Sequence, residues 1–200
     1  MHHDRKDRAW IRDAAAISSS IMPTYLRWKL TGATYFFTIV THERTPWFRH
    51  PHHRRFLGAS FRATRRRIPF EVDAVVLLPD HLHILIRPAE LVDYSALWRL
   101  VKTEFTRRLI QTTKPGDAPC PRRRPGERSV WQRRFYEHTI RNEGDWGRHV
   151  DYIHWNPVKH GLVQRPSDWT WSSIHRYIRM GGLEPDWPTR RTLSLPDIPE

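Results

Sequence analysis

The segments Phe70–Pro79 and His81–Pro88 constrain the fold more than any other part of this chain. Their sequences, FEVDAVVLLP and HLHILIRP, are rich in β-branched and aliphatic residues and read as strands, with almost no chain between them. Neighbours joined so closely belong to an antiparallel sheet, because a parallel pair needs a long crossover. Upstream, TYFFTIV from Thr34 reads as a further buried strand, and Pro51–Arg67 as a helix. That helix has Leu57 and Phe61 four apart, with Phe56, Ala59 and Ala63 beside them, and arginines dressing its outer surface. Downstream, Ser95 can cap a second helix in which Leu97, Val101, Phe105 and Leu109 repeat every four residues. Lys114–Arg128, dense in Pro, Gly and Arg, reads as a loop. Trp131–Ile140 then reads as a strand and Gly144–His154 as a third helix.

The order strand, helix, two strands, helix, strand is that of an α+β, ferredoxin-like β-α-β-β-α-β fold. An antiparallel sheet carries its helices on one face, and a further C-terminal helix is added. A chain of 200 residues suits one such domain, assigned to residues 25–180. Residues 1–24 are expected to form a flexible basic arm, and 181–200 a Pro-rich tail.

Charge narrows the partner. With 34 Lys plus Arg against 21 Asp plus Glu, the net charge of +13 suits a polyanion. Arg predominates, and its planar fork reaches two phosphate oxygens at once. Arg54, Arg55, Arg65, Arg66, Arg67, Lys102, Arg107, Arg122, Arg123 and Arg124 are the candidate DNA contacts. Each can equally be an ordinary solvated charge. Cys120 is the single cysteine, so neither an internal disulfide nor a thiolate zinc site can form. No apolar run is long enough to span a membrane, and the first ten residues are too polar for a secretory signal. A cytoplasmic location is expected.

Two elements carry chemistry. His81 and His83 alternate with Leu82 and Ile84 on a strand, so both imidazoles project from one face, expected to be the open one. Side by side they make half of a divalent-metal site. In the third helix, Trp146, Val150 and Ile153 mark a buried stripe, with His149, Tyr152 and Asn156 on a neighbouring face. A helical tyrosine among polar groups can be a nucleophile or simply the edge of a core. Asn156 precedes Pro157 and can cap a new turn.

Taken together, TGATYFFTIVT, PDHLHILI, WQRRFYEHTIR and HVDYIHWNPVKHGLV closely resemble the REP-associated tyrosine transposases, a group of the IS200-like, single-tyrosine HUH transposases. The resemblance runs from about Arg27 to Trp187. It implies nicking and strand transfer on single-stranded DNA beside the hairpins of repetitive palindromic elements, through a 5′-phosphotyrosine. It matches His81 and His83 to the metal-binding triplet, Tyr152 to the nucleophile and Asn156 to a third, amide ligand. His149 is the nearest candidate for activating the tyrosine, and Tyr136 in RFYEH ranks below Tyr152 as nucleophile. Mg²⁺ or Mn²⁺ is the implied cofactor, in a bacterial, nucleoid-associated monomer or homodimer. A non-catalytic DNA- or RNA-binding relative, or a hydrolase using activated water, remains an alternative at this point.

Overall fold

The computed structural model describes residues 33–89, 94–112, 130–187 and 195–198, with the backbone of 122–124 and 127–128. The expected arm, residues 1–24, lies outside the described residues, as do the side chains of Arg122, Arg123 and Arg124. The elements are β1 (Tyr35–Val40), α1 (Pro51–Arg65), β2 (Phe70–Leu77), β3 (His81–Pro88), α2 (Tyr94–Thr112), β4 (Arg122–Arg124), β5 (Glu127–Arg128), β6 (Tyr136–Thr139), α3 (Glu143–Lys159) and α4 (Ile174–Arg179). The main sheet has the order β2-β3-β1-β6 with every neighbour antiparallel, which is the ferredoxin-like arrangement.

Alternation along the strands builds two cores. Phe37, Ile39, Leu82, Ile84 and Ile86 pack beneath α1 and α2, against Leu57, Phe61, Leu97, Trp98, Val101 and Phe105. Phe36 and Leu85 face the other way and pack with Val150, Tyr152 and Ile153 of α3. A bulge between Val72 and Ala74 shifts the register of β2. The extra residue reverses the faces, so Val72 and Val75 share the first core while Ala74 and Val76 join the second. Asp73, displaced at this bulge, is buried and accepts from Arg87 (2.6 Å) and from the Trp146 indole (3.2 Å), tying α3 to the sheet.

The face that carries the histidines is therefore not open. Helix α3 covers it, and His81 and His83 are 1% and 0% exposed. Pairing positions both imidazoles inside this second core, because Thr38 of β1 lies between His83 of β3 and Tyr136 of β6. In α3 the polar face is buried as well as the apolar one: His149, Tyr152 and Asn156 are enclosed, whereas Trp146 is only half-buried.

Five features differ from the sequence expectation. Helix α2 starts at Tyr94, so Ser95 lies within its first turn and does not precede it. The Lys114–Arg128 segment is not all loop, since β4 and β5 pair as a small antiparallel ladder. The last strand is shorter, because Trp131 makes one bridge to Thr41 and the ladder resumes only at Tyr136. Between them Lys102 Nζ donates to the Gln132 carbonyl (2.9 Å), taking an acceptor a longer ladder would have used. Helix α3 runs through Pro157 to Lys159, with the missing N–H falling in its last turn. Its start is capped by Asn142, whose side chain accepts from the Asp145 N–H (2.9 Å). Beyond α4, Leu183 and Trp187 are buried against Ile174, so packing continues past Gly181.

Candidate active site

The site lies where β3 meets α3. The His81 and His83 rings sit edge to face, 4.9 Å apart. Each is oriented through Nδ1. His81 Nδ1 meets Asp80 Oδ1 at 2.6 Å, and His83 Nδ1 meets Thr38 Oγ1 at 2.9 Å. Burial favours a neutral Asp80, but hydrogen bonds and charge from His81 and Arg44 outweigh it and hold the carboxyl below its usual range. An ionised carboxylate only accepts, so His81 Nδ1 carries a proton, and the neutral tautomer this contact selects has its lone pair on Nε2. Burial above all, with positive charge from Lys159 and Arg44, pushes His83 well below its ordinary pKa, so it is a neutral imidazole.

Helix α3 supplies the other wall. The Tyr152 ring stands edge-on to His83 at 5.1 Å, and the ring of His160, just beyond the helix, lies 5.1 Å from His81. Asn156 lies one turn after Tyr152 and one turn before His160, so the helix carries it along the line between these two contacts. It is 0% exposed, and its helix continues past it, which removes the capping alternative. Lys159 brings Nζ to 5.1 Å from the centre of the Tyr152 ring. Phe36 closes the inner side, touching the rings of His83, His149 and Tyr152.

This donor set fits a divalent cation. His81 Nε2, His83 Nε2 and Asn156 Oδ1 are buried and have no hydrogen-bond partner in the protein. Leaving such an atom unpaired costs about 1–3 kcal/mol, so three on the facing elements β3 and α3 call for an external partner. A second group, His138, Asp145 and His149, also places three ligand-type atoms within 4.8 Å of one another. Its carboxylate is already saturated: Asp145 accepts from the Arg141 N–H and guanidinium, from Arg148 and from His138. These contacts outweigh burial and hold Asp145 far below the usual carboxylate range. It serves as an ion-paired start to α3, whereas His81 Nε2, His83 Nε2 and Asn156 Oδ1 have no such partners.

The remaining sequence candidates separate. His149 Nδ1 donates to the Asp145 carbonyl (2.7 Å), and its ring stacks on His138 at 4.6 Å. Tyr136 faces the same side of the sheet as His83 but two strands away, beyond Thr38. Arg54 is held by the carbonyls of Phe48 and Arg49 and lies over Trp171, and Arg65 donates to the Phe70 carbonyl. Lys102 is lowered to about 8 by burial and Arg107 pairs with Glu104, whereas Arg66 and Arg67 are exposed. Residue periodicity did not single out Asp80 or Thr38. Asp80 adjoins His81 in sequence, but Thr38 becomes visible only through the β1–β3 register.

Comparison with known proteins agrees with this geometry. The family described as "Transposase IS200 like" matches residues 29–156. The REP-associated tyrosine transposase of Escherichia coli K12 is 38% identical over 167 residues, covering 83% of this chain and 91% of that protein. A Haemophilus influenzae protein provisionally given the same name is 39% identical over 175 residues, covering 87% of this chain and 98% of the relative. A solved structure of a REP-associated tyrosine transposase bound to a REP hairpin superposes with a TM-score of 0.66 at 34% identity, covering 89% of this chain and all of the other (100%). The chain belongs to the IS200-like transposases, and among them to the REP-associated tyrosine transposases.

Proposed function

We propose that this protein nicks and rejoins single-stranded DNA beside the hairpins of repetitive palindromic elements, with Tyr152 as the nucleophile. The observation that carries this reading is the contact of Tyr152 with His83, next to the three orphaned donor atoms. Tyr152 Oη attacks the scissile phosphorus, the P–O3′ bond breaks, and the 3′ oxygen leaves as a hydroxyl after taking up a proton. The 5′-phosphotyrosine conserves the ester, so a later 3′-hydroxyl can reverse the step without ATP.

His81, His83 and Asn156 would hold Mg²⁺ or Mn²⁺, whose chemistry is to polarise the phosphate, worth several kcal/mol. Asp80 and Thr38 keep the two imidazoles in place. A phenol of pKa about 10 is roughly 0.1% ionised at pH 7, a deficit of about 4 kcal/mol. Lys159 reduces that deficit, because its ammonium attracts the phenolate more than the phenol. Lys159 is assigned this role because its Nζ stands over the Tyr152 ring.

The test is a denaturing gel after incubation with a labelled DNA hairpin bearing a single-stranded flank. Label should migrate with the protein, disappear on chelation and return with Mg²⁺ or Mn²⁺. Cleaved DNA with no label on the protein would indicate hydrolysis by water instead.

A further inference from the structure

We propose that the cleft between α1 and α2 is a phosphate-binding site that grips the DNA backbone on the face of the sheet opposite Tyr152. The DNA part rests on the function proposed above; the phosphate site itself does not.

The cleft, about 310 Å³, is lined by Thr64, Arg66, Arg67, Glu104 and Arg108 among others. Two polar atoms there are buried without a hydrogen-bond partner: Thr64 Oγ1, on a residue 1% exposed, and Arg108 Nε. A helical Thr or Ser ordinarily bonds back to a carbonyl in the preceding turn. Ser60 does so to Phe56 O (2.8 Å) and Thr112 to Leu109 O (2.9 Å), but Thr64 does not. The Thr64 hydroxyl can donate and the Arg108 N–H only donates, so an oxyanion in the cleft can accept from both.

Charge selects the same ligand. Three arginines line the cleft against one carboxylate, Glu104, which accepts from Arg107 (2.8 Å) and stands 3.6 Å from Arg108 Nε. The α1 segment has no acidic residue from Pro51 to Pro69, so the basic surface extends beyond the cleft along the helix. An extended polyanion uses such a surface, and a small anion does not. Phe61 and Trp98 place these helices on the first core, whereas Tyr152 belongs to the second, so the sheet separates the two sites. DNA held at the back stays with the protein when the strand at Tyr152 is open.

The experiment follows arginine Nε–Hε resonances of the full chain by NMR, first with inorganic phosphate and then with a DNA hairpin. The Arg108 resonance should shift with both. Thr64→Val should weaken phosphate binding roughly fivefold, from loss of one hydrogen bond, and Thr64→Ser should restore it. Arg108→Gln should reduce the salt slope of hairpin binding by about 0.9, one duplex phosphate. An Arg108 resonance silent to both ligands, or Thr64→Val binding like the parent, overturns the site. A response to phosphate with none to the hairpin overturns the DNA assignment. Adduct formation on the same samples reports on Tyr152 separately, so a missing adduct beside an intact Arg108 response counts only against the nuclease reading.

Discussion

Asp80→Asn isolates the tautomer argument on which the cation site depends. Asp80 accepts the His81 Nδ1–H at 2.6 Å, leaving Nε2 with a lone pair. An asparagine can turn its NH₂ toward Nδ1, which then accepts, and the proton moves to Nε2, where it blocks a ligand atom. The local fold should survive. The turn is held by the Asp80 carbonyl, which accepts from the Thr41 N–H (2.9 Å) and the Thr41 hydroxyl (2.8 Å), and neither bond involves the carboxylate. The Arg44–Asp80 pair that is lost is half-exposed and worth little on its own. Loss of such an outer partner costs about 10–100-fold in metal affinity, or about 1.4–2.8 kcal/mol. Thr38→Val should cost less, because a hydroxyl can pair with either tautomer of His83. Mn²⁺ binding by electron paramagnetic resonance, with circular dichroism as a fold control, reads both variants. Asp80→Asn binding Mn²⁺ within twofold of the parent would mean that Asp80 does not set the state of His81 at the cation site.

Lys159→Met should slow formation of the covalent adduct about tenfold, the effect of raising the tyrosine pKa by one unit, with hairpin affinity nearly unchanged; an unaltered single-turnover rate removes Lys159 from the mechanism. His154, buried with Nε2 on Ser173 Oγ, is lowered to about 3 by burial and by the charges of Arg176 and His175. The unfolded chain binds the extra proton below pH 6.5, so this stabilisation is complete above that value and is lost as pH falls toward 3. At pH 5 the loss is about 2 kcal/mol, seen as a lower denaturant midpoint than at pH 7.5; His154→Gln should flatten that difference. Phe36→Ala, which empties the contact between His83, His149 and Tyr152, should cost about 3–5 kcal/mol in chemical denaturation.

Much of this architecture is legible in local pattern. Short apolar strands around Asp80, and the four-residue repeats of α1 and α2, fix the topology, since each of these two helices has one apolar face to bury and the sheet receives it. The third helix is different. Its period marks Val150 and Ile153 as buried, but not that His149, Tyr152 and Asn156 are buried too. That follows from a second layer on the histidine face, which no period within one helix encodes. Pro157 likewise reads as a break, yet in the last turn it forfeits a single bond and the helix passes through it. The proposed site residues lie in short motifs, His81 and His83 in one and Tyr152 and Asn156 in another. Their partners, Thr38 above all, come from cross-strand register and appear only once the sheet is assembled.

In the proposed reaction the tyrosine on α3, and not the one on β6, attacks the phosphate. Tyr152 lies 5.1 Å from His83, whereas Tyr136 is two strands away, roughly 10 Å at ordinary strand spacing. Replacing either ring by Phe removes one oxygen and little packing, so both variants should fold. The deciding measurement is adduct and nick, scored together on one labelled hairpin substrate. Tyr152→Phe should lose both while Tyr136→Phe retains both. An adduct that persists in Tyr152→Phe and vanishes in Tyr136→Phe would contradict the account and move the nucleophile to the strand.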